Sequence, residues 1–166
     1  MRGGYHLRMN PAQAKALSDL LAIQSIASLG TLHEGEPHVS MVPFALQPER
    51  PDFLIHVSQL AVHTNDMLTN PKVSLLVIAP PSPEIPAQAL ARVTVQGLAT
   101  QWTESDPGHA VAKAAYLSRF PQSATMFDLA DFSLFVIRPR SIRFVGGFGQ
   151  ALTLTPGMFA EALGRH

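Results

Sequence analysis

The chain of 166 residues carries twelve Lys and Arg, twelve Asp and Glu, and no cysteine. Its length suits one domain, and the lack of cysteine excludes a thiol nucleophile, a disulfide framework and cysteine-held zinc or iron–sulfur centres. Zero formal charge argues against a basic surface that grips nucleic acid, and a charged fraction of 14%, against roughly 25% in ordinary soluble domains, predicts a homo-oligomer that hides part of its surface.

The first element is a helix. Asn10-Pro11-Ala12-Gln13 combines an N-cap Asn, a Pro at the first helical position and a Gln three residues after the cap. Leu17, Leu20, Leu21 and Gln24 follow at helical spacing, which predicts a helix over 11–24. Residues 27–32 read as a strand, Glu34-Gly35-Glu36 as a turn, and 38–46 as the second strand of a hairpin. On that second strand His38, Ser40, Val42 and Phe44 share one face, and Val39, Met41, Pro43 and Ala45 the other. Both faces are largely apolar, so both are expected to be covered, as in a barrel wall that also forms an interface. A third strand spans 53–57. A short helix over 61–68 must end before Asn70-Pro71, because the residue preceding a proline avoids the helical region. A buried strand covers 73–78, and four prolines within 80–86 make a stiff exposed loop. The next strand, 91–102, places Arg92, Thr94 and Gln96 on one face. Asp106-Pro107 predicts the start of a helix over 107–119, with Tyr116 and Phe120 as an aromatic pair one turn apart. The last strand runs over 132–145, with Pro139 at a bulge or edge. The turn Gly146-Gly147-Phe148-Gly149 and a short helix at 156–163 follow.

Strands joined by short turns predict a mainly β chain with flanking helices, built on an antiparallel sheet. Six strands of this length close into a small barrel, and the strand–helix alternation of a doubly wound nucleotide fold is missing. The expected organisation is an N-terminal arm at 1–10, a barrel domain at 11–151 and a C-terminal tail at 152–166. No signal-peptide core follows Met1, and the most apolar run, 73–81, has nine residues, against the ~20 that span a bilayer. A cytoplasmic protein without membrane partners is expected.

Seven histidines (6, 33, 38, 56, 63, 109 and 166) fit no recognised metal-ligand spacing, so no metal site is expected. The glycine turn 146–149 follows a strand but opens no helix, which leaves it without the N-terminus that would hold a phosphate. The stretch 58–71, SQLAVHTNDMLTNP, offers more: Ser58, His63 and Thr64 gather where a strand gives way to a helix. Such a place suits an anion, although Ser and Thr are also ordinary helix caps.

The segments HVSMVPFAL (38–46), FLIHVSQLAVHTNDMLTNPKVSLLV (53–77), RVTVQGLAT (92–100) and FVGGFGQA (144–151) together resemble the FMN-binding split-barrel proteins related to pyridoxamine 5′-phosphate oxidase. The likeness is greatest to the haem-utilisation branch. It implies a six-stranded antiparallel split barrel that works as a homodimer, with FMN in the groove between two subunits. It places His63, seven residues before Asn70, where the oxidase has a phosphate-binding lysine, with Ser58 and Thr64 as accompanying donors. Ser40, Met41, Val42 and Pro43 would lie along the flavin ring, and Arg92 and Gln96 would reach it from the partner subunit.

Departures from the oxidase pattern shape the functional expectation. The second strand has no cation between His38 and Leu46, and no Arg-x-His follows the last strand. The expectation is therefore an FMN-dependent oxidoreductase acting on a small redox substrate, and not an efficient pyridoxamine 5′-phosphate oxidase. A haem-binding or haem-degrading protein on the same fold, or a module that holds flavin without catalysis, are the alternatives. Longer members of the haem branch use a His on a C-terminal extension, and the given sequence runs to His166.

Overall fold

A computed structural model describes residues 8–165; His6 and His166, and most of the expected N-terminal arm, lie outside the described residues. Helix α1 (Pro11–Ile23) begins with the anticipated capping box, in which Asn10 and Gln13 each bond the other's backbone. Strands β1 (Ile26–His33) and β2 (Glu36–Pro43) form a hairpin. Its two turn residues, Glu34 and Gly35, have φ of 51° and 84°, the positive values that a two-residue turn matched to strand twist requires. The chain breaks at Phe44 and resumes as β3 (Ala45–Leu46), followed by β4 (Phe53–Ser58), α2 (Val62–Thr69), β5 (Lys72–Ile78), β6 (Arg92–Trp102), α3 (His109–Arg119), β7 (Phe132–Val145), β8 (Ala151–Leu154) and α4 (Pro156–Ala162).

All eight strands join one antiparallel sheet in the order β2-β1-β5-β6-β7-β4-β3, with β8 on β7. The two ends of that path, β2 and β3, are separated along the chain by Phe44 alone, so the sheet curls back on itself as a split barrel. The count is eight where six were expected, for two reasons. The strand read over 38–46 divides at Phe44, whose buried ring faces the core. The short β8 also pairs with β7 after the glycine turn, where alternation of apolar and polar residues over only four positions gave a weak signal.

The main core fills the barrel: Leu29, Phe44, Phe53, Ile55, Leu75, Ile137 and Phe144 are fully buried, with Leu17 and Leu21 of α1 plugging one side. Phe159 of α4 stacks on Phe53 with centroids 6.1 Å apart, and Leu152 and Leu154 join the same core. Residues 152–165 thus pack as part of the barrel body. A smaller core, with Leu54, Leu134, Val136, Ala112 and Tyr116, lies where α3 covers the outside of β4 and β7. Arg119, at the end of α3, donates to the carbonyl oxygens of Leu21, Ala22 and Gln24 and sits 4.9 Å from the Phe44 ring centroid. It thereby satisfies the exposed carbonyl end of α1, which carries no basic residue of its own.

Pro139 lies beside a bulge: the β6–β7 register shifts between Gln96 and Gly97, leaving Arg140 unpaired between Pro139 and Ser141. Backbones approach closely there, since a Cβ on Gly97 would stand 2.6 Å from the carbonyl oxygen of Arg138. The predicted cap of α3 is corrected: Gly108 precedes the helix, and the Asp106 carboxylate turns back to accept from the Thr103 amide at 2.6 Å.

Candidate functional site

One corner of the barrel gathers α2 against the β1–β2 hairpin. Helical spacing puts His63 and Asp66 one turn apart on α2, facing β2 and β1 respectively. Asp66 is buried and accepts from Thr31 Oγ1 at 2.7 Å, and its other oxygen meets His33 Nδ1 at 2.8 Å. Burial pushes the Asp66 carboxyl up, but the bonds from Thr31 and His33 outweigh it and hold the group below the usual carboxylate range. The hydrogen bond to Asp66 raises His33. On the neighbouring strand, Ser40 Oγ lies 2.9 Å from His63 Nδ1, and His63 Nε2 is buried without a partner. Burial lowers the His63 pKa, so its imidazole is neutral at pH 7.

The other anticipated residues are distributed unevenly around this corner. Thr64 is buried, and its hydroxyl donates to the Ser58 carbonyl oxygen at 2.6 Å, tying the end of β4 to α2. Ser58 Oγ accepts from the Leu60 amide at 3.1 Å. Val42 faces the core at 1% exposure, whereas Met41 is 59% exposed and Pro43 half-buried on the outer wall. Val39, 69% exposed, continues that outer face.

Gln96 and Arg92 stand on the outer face of β6, in different hollows. Gln96 lines a groove of about 550 Å³ with Leu32, Pro37, Val39, Lys72 and Arg140. Arg92 lines a second hollow of about 380 Å³ with Thr94, Arg143 and Phe148, beside the glycine turn. Its Nη1 donates to the carbonyl oxygens of Gln88 and Leu90, both at 3.0 Å. Arg143 donates to Thr153 Oγ1 at 2.9 Å. Each guanidinium keeps further N–H groups, and Phe148 is 84% exposed between them and solvent.

Sequence reasoning missed Asp66 and Thr31, whereas Arg143 is one of four candidate cations that the sequence offers near the groove. The i, i+3 pairing of His63 with Asp66 was available as a signal; the partnership with Thr31 depends on the β1 register and could not be read from spacing. Among the described residues no cluster of three or more potential ligands could hold a metal ion, and no helix is long and apolar enough to cross a membrane.

The family model described as pyridoxamine 5′-phosphate oxidase matches residues 14–146. The chain belongs to that family. It is 37% identical over 136 residues to the chloroplast haem oxygenase HOZ of Arabidopsis thaliana, covering 82% of this chain and 40% of that one. It is 29% identical over 119 residues to haem oxygenase HutZ of Vibrio cholerae, covering 71% of this chain and 66% of that one. A haem-binding protein from Mycobacterium smegmatis superposes with a TM-score of 0.81 at 30% identity, covering 92% of this chain and 62% of that structure. The chain therefore spans less than two thirds of the length of each of these proteins.

These likenesses overturn the expectation of an FMN-dependent oxidoreductase, because the similar proteins are haem proteins. The corner gives a physical reason. A phosphate dianion needs charge-assisted donors, but His63 is held neutral, the Thr64 hydroxyl is spent on Ser58, and β2 carries no cation.

Proposed function

We propose that this protein binds haem, and that two copies build each haem site between them. The observation that carries the reading is the match to the mycobacterial haem-binding protein over nearly the whole chain. The chemistry of the residues fits haem, an apolar macrocycle edged by two carboxylates. Arg92 and Arg143 offer two guanidinium groups beside an exposed aromatic ring, a pairing suited to carboxylates and a flat apolar body. His63 offers an imidazole whose Nε2 has no partner and whose Nδ1 is oriented by Ser40, the arrangement usual for a histidine that meets a metal. When bound, haem would supply an iron centre able to engage dioxygen. The 37% identity to HOZ favours haem breakdown as the reaction class.

The second copy is argued from the outer wall. Ile26, Val39, Met41 and Ile78 are 49%, 69%, 59% and 42% exposed on the face shared by β2, β1 and β5. A contiguous apolar face of this kind marks an interface, and an obligate dimer would bury more than about 2,000 Å² in total. In that dimer, Met41 on the outer wall and His63 at the edge of β2 in one copy face Arg92 and Gln96 of the other. Light scattering at micromolar concentration is expected to give twice the chain mass.

Complementation tests the shared site. His63→Ala and Arg92→Ala are each expected to weaken haem binding about tenfold or more, the loss of one charge-assisted or ligating contact. Co-expressed in equal amounts, the two variants form mixed dimers in which one of two sites is whole, so about a quarter of all sites regain parental affinity by random pairing. No recovery in the mixture would place both residues in one copy's site, or in none.

A further inference from the structure

The smaller core ends in a pocket that the haem reading does not use. It lies between β4, β6, β7 and the start of α3, with a volume of about 270 Å³, room for roughly nine waters. His56 forms its floor. The imidazole is 92% buried, counted from its 8% exposure, and stacks face to face on Phe127 with centroids 3.6 Å apart and planes within 3°. Phe132 and Tyr116 close two further sides at 5.3 and 5.9 Å. Within this aromatic cage His56 Nδ1 is buried and has no hydrogen-bond partner.

A second buried polar group points the same way. Ser133 is 6% exposed, and its Oγ accepts from Gln101 Nε2 at 2.9 Å and from Gln59 Nε2 at 3.2 Å. Both oxygen lone pairs are thereby filled, and the hydroxyl proton has no acceptor among the described residues. Two residues with unspent hydrogen-bonding capacity, His56 and Ser133, thus line one pocket. Buried polar groups in native proteins are almost always satisfied, so their partner is expected to come from outside the chain.

The charges around the pocket set the sign of that partner. Lys113 lies 5.1 Å from the Phe127 ring centroid, and His109 opens α3, whose first turn holds no acidic residue and whose cap makes no side-chain bond. Glu104 is the one carboxylate among the lining residues, and Asp106 is committed to Thr103. The Lys113 ammonium is the one fixed cation among the lining residues, and the helix start beside it, without a side-chain cap, adds a positive dipole end against one rim carboxylate. We infer that the pocket binds a compact metabolite bearing an oxyanion, carboxylate or phosphate, that Lys113 pairs its charge, and that Ser133 donates to it. The volume excludes a dinucleotide or a tetrapyrrole, so this pocket is distinct from the proposed haem site.

Trp102 lines the pocket and is the chain's sole tryptophan, so its fluorescence reports on this site alone. The full chain, without haem, is titrated with inorganic phosphate and, separately, with malonate. A saturable change in Trp102 emission is expected with at least one of them: phosphate alone marks a phosphate ligand, malonate alone a carboxylate, and both a general oxyanion site. Lys113→Gln is expected to weaken the dissociation constant at least tenfold, and Ser133→Ala by a smaller factor, with unchanged circular dichroism and unchanged haem titration. Absence of a saturable signal with either probe, or parental affinity in both variants, overturns the proposal. Because the readout needs no haem, its failure is distinct from failure of the haem reading.

Discussion

Two histidines, His56 on β4 and His63 on the helix that follows it, are shielded from water by opposite means. The corner around His63 is a polar network: Ser40 holds one ring nitrogen, and beside it Asp66 is locked by Thr31 and His33. The cage around His56 is aromatic, and gives that ring three neighbours to stack against and no hydrogen bond to Nδ1. Both imidazoles are pushed toward the neutral form, and each keeps one buried ring nitrogen without a partner, Nε2 in the corner and Nδ1 in the cage. Burial alone therefore does not distinguish a structural histidine from one that waits for a partner; the count of unspent donors and acceptors does.

Breaking the corner is expected to cost the most. Asp66→Ala removes the acceptor of Thr31 and His33 and leaves the buried Thr31 hydroxyl unpaired, a loss of about 2–4 kcal/mol in urea unfolding at pH 7. Asp66→Asn, which keeps the shape and loses the charge, is expected to lose less and to remove the pH dependence described next.

The two regions should respond to acid differently. Asp66 has a lowered folded pKa, so its contribution is present above the ordinary carboxylate value and is lost only as pH falls through a still lower one. His33 has a raised folded pKa, so its contribution is complete below about 6.5 and fades as pH rises through the folded value. The corner is thus at full strength in the window between. His56 behaves oppositely: burial and the nearby Lys113 and His109 push it down to about 4. Its stabilising contribution is present above about 6.5 and is lost as pH falls from there to about 4. Urea midpoints of the parent and of His56→Phe, compared at pH 7 and pH 4.5, are expected to show the variant gaining on the parent by on the order of 2 kcal/mol. His63, lowered in the same direction, remains in both proteins and cancels from the comparison. An equal acid loss in parent and variant would show that the cage is not the acid-sensitive element.

The smallest effect sharpens the corner itself. Ser40→Ala is expected to cost about 0.5–1.5 kcal/mol, the usual worth of one hydrogen bond, while freeing the His63 ring to turn. An NMR titration of His63 is the sensitive readout, and an unmoved titration midpoint would mean that Ser40 does not hold the ring.

Much of this arrangement was legible in the sequence, and the limits are instructive. The capping box at Asn10 and Gln13, the apolar alternation of β6 and the stop at Asn70-Pro71 are local signals, and each element lies within a residue or two of its reading. The division of the second strand at Phe44 was not legible, because the same residue types suit a continuous strand, and only barrel closure requires the break. The site followed the same rule. His63 and Ser40 were both singled out and do meet, through a contact 23 residues apart in the chain. Arg92 and Gln96 share a strand face but open into different hollows, because four residues of extended strand hold them roughly 13 Å apart. The flavin reading followed the resemblance to the oxidase family as a whole, and the likeness to haem proteins on the same fold overturns it.

The central claim is tested most directly by titrating the purified full chain with haem and following the absorbance near 400 nm. Haem binding predicts a Soret band that saturates at one haem per chain with a submicromolar dissociation constant, tighter than about −8 kcal/mol, and that shifts when His63 is replaced by Ala. A spectrum that remains the sum of free haem and protein across the titration would contradict it.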